Sequence, residues 1–287
     1  MSRAGAVLLA GCGDVGVRLG LSLAAAGRRV YGLRRSDVLL PAPLQPLRAD
    51  LTDPTSLRAL PDDITDVVFL PTPGRREEAA YRGLFVDGLA HLLEALQRRA
   101  APRRLVFVSS SAVYGEHGGA WVDEDTVCAP LAFNGRQLLE AEAQLAGVPG
   151  AVIARCSGIY GPGRTRLIDQ VLDGSARRPA GVAEFSNRIH VDDVAGALAH
   201  LLALADPAPC YLLSDDHPAP LADVQDWIAH QLGLPPLAAG PALASRAVGN
   251  KRLANRRLSA SGYRLRYPDF ASGYAPLLHL PDRNRGN

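Results

Sequence analysis

The sequence predicts an α/β protein built on a parallel β-sheet that helices cover on both faces. In the first half of the chain, short apolar runs alternate with stretches whose apolar residues recur at helical spacing. Runs such as residues 6–10 and 151–154 are apolar throughout, as expected for strands that are buried on both faces. Strands that alternate with helices predict a doubly wound sheet with parallel strands.

Each predicted element has its own signal. Residues 15, 19, 23 and 26 mark one helical face that Gly27 ends, and Asp192 is the expected cap of a later helix. Residues 158–163 form a turn-rich linker, after which the pattern is less regular. The predicted strands are 6–10, 30–33, 46–49, 66–70, 104–108, 151–154 and 210–213. The predicted helices are 15–26, 75–99, 137–145, 168–172, 192–204, 221–231 and 251–259.

Composition excludes several classes of protein. Of the 287 residues, 47% are hydrophobic and 21% charged, as in globular proteins, and the net charge of +2 does not indicate a nucleic-acid partner. The four cysteines are scattered without a CxxC pair, so we expect neither a disulfide framework nor a metal site. Residues 9–12 (LAGC) resemble a lipoprotein cleavage box, but the residues that follow fit a nucleotide-binding helix. We expect a cytoplasmic protein without a membrane partner.

The segment Gly11-Cys12-Gly13-Asp14-Val15-Gly16 is a GxGxxG motif between a predicted strand and a predicted helix. The first glycine permits a tight turn, and the second lets backbone N–H groups approach a pyrophosphate. The third lets the helix pack closely on the strand, while the helix N-terminus faces the anion. The motif predicts a Rossmann-like dinucleotide site; a glycine turn without a ligand is the alternative.

Arg34 and Arg35 follow the second predicted strand, where NAD-binding proteins usually carry an acidic residue for the ribose hydroxyls. A carboxylate would repel a 2′-phosphate, whereas guanidinium groups can bind one through charge-assisted hydrogen bonds. The sequence therefore favours NADP over NAD, although two solvated arginines would give the same pattern.

Together with these motifs, the segments VFVSSSAVYG, CSGIYGPG and NRIHVDDV resemble an extended short-chain dehydrogenase/reductase of the epimerase/dehydratase group. The resemblance implies a doubly wound NAD(P) domain over residues 1–157, completed by 188–213. A smaller C-terminal lobe, mainly 158–287, would bind a small-molecule substrate, usually a nucleotide sugar. Homodimers built on two helices, here 75–99 and 137–145, are common in the family. The implied cofactor-binding residues beyond the glycine motif and the arginines are Asp50, Leu51, Leu70 and Pro71.

The chain departs from this family at the catalytic Tyr-x-x-x-Lys motif, whose tyrosine exchanges a proton with the substrate and whose lysine binds the nicotinamide ribose. The best register places Asn134 at the tyrosine and Leu138 at the lysine, and Phe85 stands where the family has an asparagine. Asparagine is no acid or base near neutral pH. Ser110 remains as the active-site hydroxyl, and Tyr114 and Tyr160 lie in family turns that line the site.

We therefore predict Ser110, Tyr114 and Asn134 as catalytic positions and Tyr160, Arg188 and Lys251 as substrate contacts. Arg188 is a candidate clamp for a substrate phosphate. Lys251 is the only lysine of the chain, which suggests a role for a compact ammonium group. The predicted function is that of an NADP-binding oxidoreductase or epimerase with an atypical active site. The alternative is a redox-responsive NADP-binding module without catalysis.

Overall fold

The computed structural model describes residues 5–37, 39–99, 101–178, 183–240 and 249–279. The strands are β1 (Ala6–Ala10), β2 (Val30–Arg34), β3 (Gln45–Arg48), β4 (Ile64–Phe69), β5 (Arg104–Ser110), β6 (Trp121–Val122), β7 (Ala151–Cys156), β8 (Gly158–Tyr160), β9 (Phe185–Ser186), β10 (Arg188–His190), β11 (Cys210–Leu213), β12 (Ala219–Pro220) and β13 (Arg252–Leu253). The helices are α1 (Asp14–Ala25), α2 (Glu78–Tyr81), α3 (Gly88–Gln97), α4 (Phe133–Ala143), α5 (Arg166–Leu172), α6 (Val191–Ala203), α7 (Leu221–Gln231), α8 (Arg256–Ala260) and α9 (Phe270–Leu278).

Within these ranges, seven strands form one parallel sheet in the order β11-β7-β5-β4-β1-β2-β3. The chain runs outward from β1 to one edge and then, from β4, to the other edge. The order therefore reverses beside β1, which is where ligands bind in doubly wound sheets. The predicted Rossmann-like fold is confirmed.

The sheet is buried on both faces, and its central strand β1 is apolar at every position. Leu8 and Phe107 point to the face that α3 and α4 cover, through residues such as Leu92. Val7 and Val106 point to the opposite face, where α1 packs against α6. This explains why the central strands show no alternation of apolar and polar residues.

A second, smaller apolar cluster joins α5, α7 and α9, with Ile168, Ile228 and Leu277 at its centre. Tyr160 at the end of β8 belongs to this cluster as well. No helix among the described residues combines the length and apolar character needed to span a membrane.

Four local predictions were wrong. The helix predicted over 75–99 begins at Glu78, because Glu77 is still extended, and a π-helical turn over Arg82–Asp87 interrupts it. The 158–163 linker contains β8, which pairs with β10 in spite of its glycines. Residues 252–253, predicted as helical, form β13 beside β6. Finally, α6 is capped by His190, whose Nδ1 accepts the N–H of Asp192 at 3.2 Å.

Candidate active site

The turn between β1 and α1 gives its three glycines three different environments. Gly11 has φ +93°, and a Cβ there would lie 2.4 Å from the Cα of Pro71. A Cβ on Gly16 would press on the Sγ of Cys12 at 3.3 Å. For Gly13 the nearest atom is 3.9 Å away, so its α-carbon faces open space. The turn therefore leaves room for an anion at the start of α1, as a bound pyrophosphate requires.

The remaining residues of the motif support this turn. Cys12 is fully buried, and burial raises the pKa of its thiol to about 11, so that it stays protonated at neutral pH. The carboxylate of Asp14 pairs with Arg18 at 3.0 Å and with Arg164 at 3.1 Å. Val15 packs at the edge of the apolar cluster below α1. None of the three offers a free charge that would oppose an anion.

The carboxyl ends of β1 to β4 bring the other predicted cofactor residues together. Arg34 ends β2, and the Arg35 guanidinium lies 4.0 Å from the carboxylate of Asp50 beyond β3. The N–H of Leu70, after β4, donates to the carbonyl of Ala10 at 2.9 Å. The predicted cofactor residues, which also include Leu51 and Pro71, thus follow neighbouring strands around the glycine turn. They fit a dinucleotide laid across the sheet edge.

Ser110 and Asn134 come from adjacent elements. Ser110 ends β5, and its hydroxyl accepts the N–H of Ala112 at 3.2 Å. A Cβ on Gly135 would lie 2.2 Å from the carbonyl oxygen of Ala112, so the start of α4 is pressed against the turn after Ser110. The buried Oδ1 of Asn134 has no hydrogen-bond partner in the described part of the chain. A neutral amide with an unused acceptor therefore lies at the start of the helix that packs on the turn after Ser110.

The two residues that the sequence predicts at the family's lysine and asparagine positions are apolar and buried. Leu138 and Phe85 are 4% and 6% exposed and belong to one hydrophobic cluster. The ring of Phe85 lies 6.3 Å from that of Phe107 and 5.6 Å from that of Tyr81, between the ring centroids. Phe133 packs edge-on against Tyr81 at 5.4 Å. Both positions are therefore part of the apolar packing, and Phe85 lies in the π-helical turn.

Comparison with known proteins identifies this architecture. Residues 7–210 match the family model described as the NAD-dependent epimerase/dehydratase family. The chain belongs to this family. A solved structure from Methylobacillus flagellatus, described as an NAD-dependent epimerase/dehydratase, is 40% identical with a TM-score of 0.79, covering 96% of this chain and 97% of that one.

Two further proteins that resemble this chain are described by the reaction they catalyse or the ligands they bind. A 3-diazoavenalumate denitrifying reductase from a Streptomyces species is 34% identical over 208 residues. The match covers 68% of this chain but only 64% of that reductase, so the chain spans less than two thirds of its length. MoeE5, solved with UDP-glucuronic acid and NAD, is 26% identical with a TM-score of 0.77 and coverages of 94% and 97%.

Tyr114 is held in a buried network of this epimerase/dehydratase family member. Its hydroxyl donates to the carbonyl of Asp123 at 2.8 Å and accepts from Arg155 at 2.8 Å. Arg155 also pairs with Glu142 at 2.7 Å, and the Ser109 hydroxyl donates to that carboxylate at 2.6 Å. Burial raises the pKa of Tyr114, and its hydroxyl already donates one hydrogen bond and accepts another within the protein. These are the contacts of a packing residue.

Tyr160 and Arg188 are buried at the apolar cluster that joins α5, α7 and α9. The Tyr160 ring stacks on Tyr274 at 4.4 Å, and its buried hydroxyl has no hydrogen-bond partner among the described residues. Arg188 is 2% exposed, with its guanidinium 5.6 Å from the ring of Phe270. Both side chains are therefore almost closed to solvent.

Lys251 is also 2% exposed, and burial lowers the pKa of its ammonium group to about 8 although Glu116 opposes this shift. The side chain of Asn187 holds the neighbouring backbone. It donates to the carbonyl of Lys251 at 2.9 Å and accepts the N–H of Leu253 at 2.8 Å. Lys251 is therefore buried directly before β13, and its role as a substrate contact stays a prediction.

Sequence reasoning missed Asp215, which is 1% exposed in the same region. Burial raises the pKa of its carboxyl to about 7, although the Arg188 charge acts in the opposite direction. Between pH 4 and 7 the folded protein keeps this proton while the unfolded chain loses it, so ionisation of Asp215 destabilises the fold as the pH rises. Asp215 follows the buried Ser214 after β11. No local sequence signal marks Asp215, because its burial depends on the fold.

We expect Asp215→Asn to stabilise the protein more at pH 8 than at pH 5, by about 2 kcal/mol, because asparagine cannot ionise. Urea unfolding of the wild type and the variant at the two pH values measures this difference. The pH dependence separates ionisation from any change in packing, which would alter both values equally. An equal effect at both pH values would contradict the prediction.

Proposed function

We propose that the chain is an NADP-dependent reductase that acts on a carbonyl group, or a comparable electrophilic centre, of a small molecule. The observation that carries the proposal is the pair formed by Ser110 and Asn134. Ser110 keeps the family's active-site hydroxyl, whereas Asn134 stands at the position of the proton-transferring tyrosine and Leu138 at that of the lysine. The intact glycine turn argues that dinucleotide binding has been retained.

The direction of hydride transfer explains why a reductase tolerates the loss of the tyrosine and the lysine better than an epimerase does. An epimerase or dehydratase begins by oxidising an alcohol, which requires a base that removes the hydroxyl proton. A reductase adds hydride to an electrophilic carbon, and the oxyanion that forms can take its proton from water. Asn134 cannot act as a base, but an amide N–H can stabilise an oxyanion. The 3-diazoavenalumate denitrifying reductase, one of the relatives, agrees with this direction.

In this proposal NADPH, when bound, supplies the hydride. Ser110 and the amide of Asn134 donate hydrogen bonds to the substrate oxygen as its negative charge develops. The apolar side chains of Phe85 and Leu138 would keep water away from a bound nicotinamide. Because no ammonium group replaces the lysine at this position, binding of the cofactor depends more strongly on its pyrophosphate and adenosine ends.

We assign NADP to the unit formed by residues 1–157 and 188–213, with Arg34 and Arg35 as the 2′-phosphate ligands. We assign substrate binding to the lobe over 158–287. There, the buried polar contacts for an entering group are Tyr160, Arg188 and Lys251. The substrate panel therefore includes keto nucleotide sugars, as suggested by the ligand of MoeE5, and aromatic and aliphatic carbonyl compounds.

The test is the oxidation of NADPH by the purified protein with each member of this panel. With an active substrate, Ser110→Ala should lower kcat about 100-fold, because one hydrogen-bond donor to the oxyanion is lost. The Kd for NADPH should stay within twofold, since this hydroxyl contacts the substrate and not the dinucleotide. Ser111→Ala, at the next position of the chain, is the matched control and should keep full activity.

Turnover that Ser110→Ala leaves unchanged would contradict the assigned role of the serine. A protein that binds NADPH tightly but oxidises it with no member of the panel would contradict the reductase proposal. That result would favour the second candidate, a non-catalytic NADP-binding module, for which the paired apolar replacement at Phe85 and Leu138 is the specific observation. Such a module requires a partner protein whose affinity differs between the NADP⁺ and NADPH complexes.

A further inference from the structure

Two arginines lie side by side where β2 and β3 end. The parallel register pairs Gly32 with Pro46 and Arg34 with Arg48. Residues paired in this way on neighbouring strands project from the same face, with backbones about 4.8 Å apart. The sequence separates these arginines by 14 positions, and the register alone brings them together.

Both arginines line an open cavity of about 300 Å³ at this edge of the sheet. Gly32 and Leu40 contribute to its walls, and Asp37 lies at its rim. The cavity adjoins the end of β2, where dinucleotide folds hold the 2′ position of the adenosine ribose. A pocket with two guanidinium groups suits a phosphomonoester, whose oxygens can accept several charge-assisted hydrogen bonds.

Asp37 supplies the opposing charge in this cavity. Its carboxylate pairs with Arg48 at 3.0 Å, and both side chains are more than 70% exposed. An exposed ion pair of this kind is worth at most about 1 kcal/mol. A phosphate dianion that binds two guanidinium groups can therefore displace Asp37 from Arg48.

We propose that Arg48 is a further ligand of the 2′-phosphate of NADP and that Asp37 is its exchangeable counter-ion. The inference rests on the proposed NADP-dependent function and adds a specificity-determining pair to it. Arg34 and Arg48 hold the phosphate from two neighbouring strands. Asp37 occupies Arg48 in the absence of the phosphate and so opposes binding of the anion. Arg48 and Asp37 affect only the binding of the 2′-phosphate, because the rest of the dinucleotide lies toward the glycine turn.

Calorimetric titration of the full-length protein with NADPH and with NADH tests this assignment. Arg48→Gln should weaken NADPH binding five- to tenfold and leave the Kd for NADH within twofold. Asp37→Asn should strengthen NADPH binding two- to threefold, again without an effect on NADH. Inorganic phosphate should compete with NADPH more weakly in Arg48→Gln than in the wild type.

Arg29→Gln is the matched control, because it removes the same charge at the amino end of β2, where Arg29 pairs with Asp63. It should leave both affinities unchanged. If the wild type prefers NADPH and Arg48→Gln keeps the full preference, or weakens both dinucleotides equally, the role of Arg48 is overturned while the NADP assignment stands. A wild type that does not prefer NADPH, or binds neither dinucleotide, overturns both.

Discussion

Gly13→Ala should abolish dinucleotide binding without unfolding the protein. The nearest protein atom to a Cβ at this position is 3.9 Å away, and φ is −85°, which alanine adopts freely. The added methyl group would instead enter the space that a pyrophosphate needs for close approach to the backbone. We expect the Kd for NADPH to rise about 1,000-fold or more, measured by calorimetry.

Gly13→Ala should lower the free energy of unfolding by only about 1 kcal/mol, because alanine is a poorer N-cap than glycine but its methyl group makes no close contact with another atom. Gly11→Ala is the contrasting variant. Its Cβ would collide with the backbone of Pro71, and φ is +93°, so this change should destabilise the whole fold. NADPH binding by Gly13→Ala at wild-type strength would show that the turn does not hold a pyrophosphate.

Glu142→Gln should lower the free energy of unfolding by 3–5 kcal/mol, as expected when one partner of a buried ion pair is removed. The side chains of Glu142 and Arg155 are only 4% and 9% exposed, and their charges lie 2.7 Å apart. Glutamine keeps the size of the side chain but leaves the guanidinium without its counter-charge. Urea unfolding at pH 7, with the slope compared between variants, gives the difference.

The same helix provides the control. Glu140→Gln removes an equal charge two residues earlier, where the carboxylate pairs with Arg82 at 2.8 Å on the surface. Because both side chains are about half exposed, this change should cost less than about 1 kcal/mol. Equal losses for the two variants would mean that burial of the Glu142 pair adds nothing to its importance.

The sheet could be predicted from the sequence because each central strand is a local apolar run between turn signals. Residues 6–10, 151–154 and 210–213 needed no tertiary information. The short strand β8 was missed because Gly158 is a poor strand former, and only its pairing with β10 makes it extended. His190 was missed as a helix cap because Asp192 is the commoner capping type, and the backbone geometry chose the histidine.

The candidate site also contains features that local sequence predicts and features that only the fold reveals. The glycine motif is contiguous in the sequence, so its environment followed from spacing alone. The joint burial of Phe85 and Leu138, the pairing of Arg34 with Arg48 and the burial of Asp215 each depend on segments that are distant in the sequence. Their chemistry becomes visible only when the register of the strands and the packing of the helices are known.

The two edges of the sheet also bear on how copies of this chain can associate. At β11 the N–H of Leu212 donates to the Glu124 carboxylate at 2.8 Å, and the carbonyl of Cys210 accepts from Arg257. At β3, Pro46 has no N–H group to offer. At β11, side chains already bond the backbone groups with which another strand would pair, and at β3 the proline removes a donor. Both features protect the sheet against edge-to-edge aggregation. A homodimer of this protein should therefore form through its helices and not through a continuous intermolecular sheet.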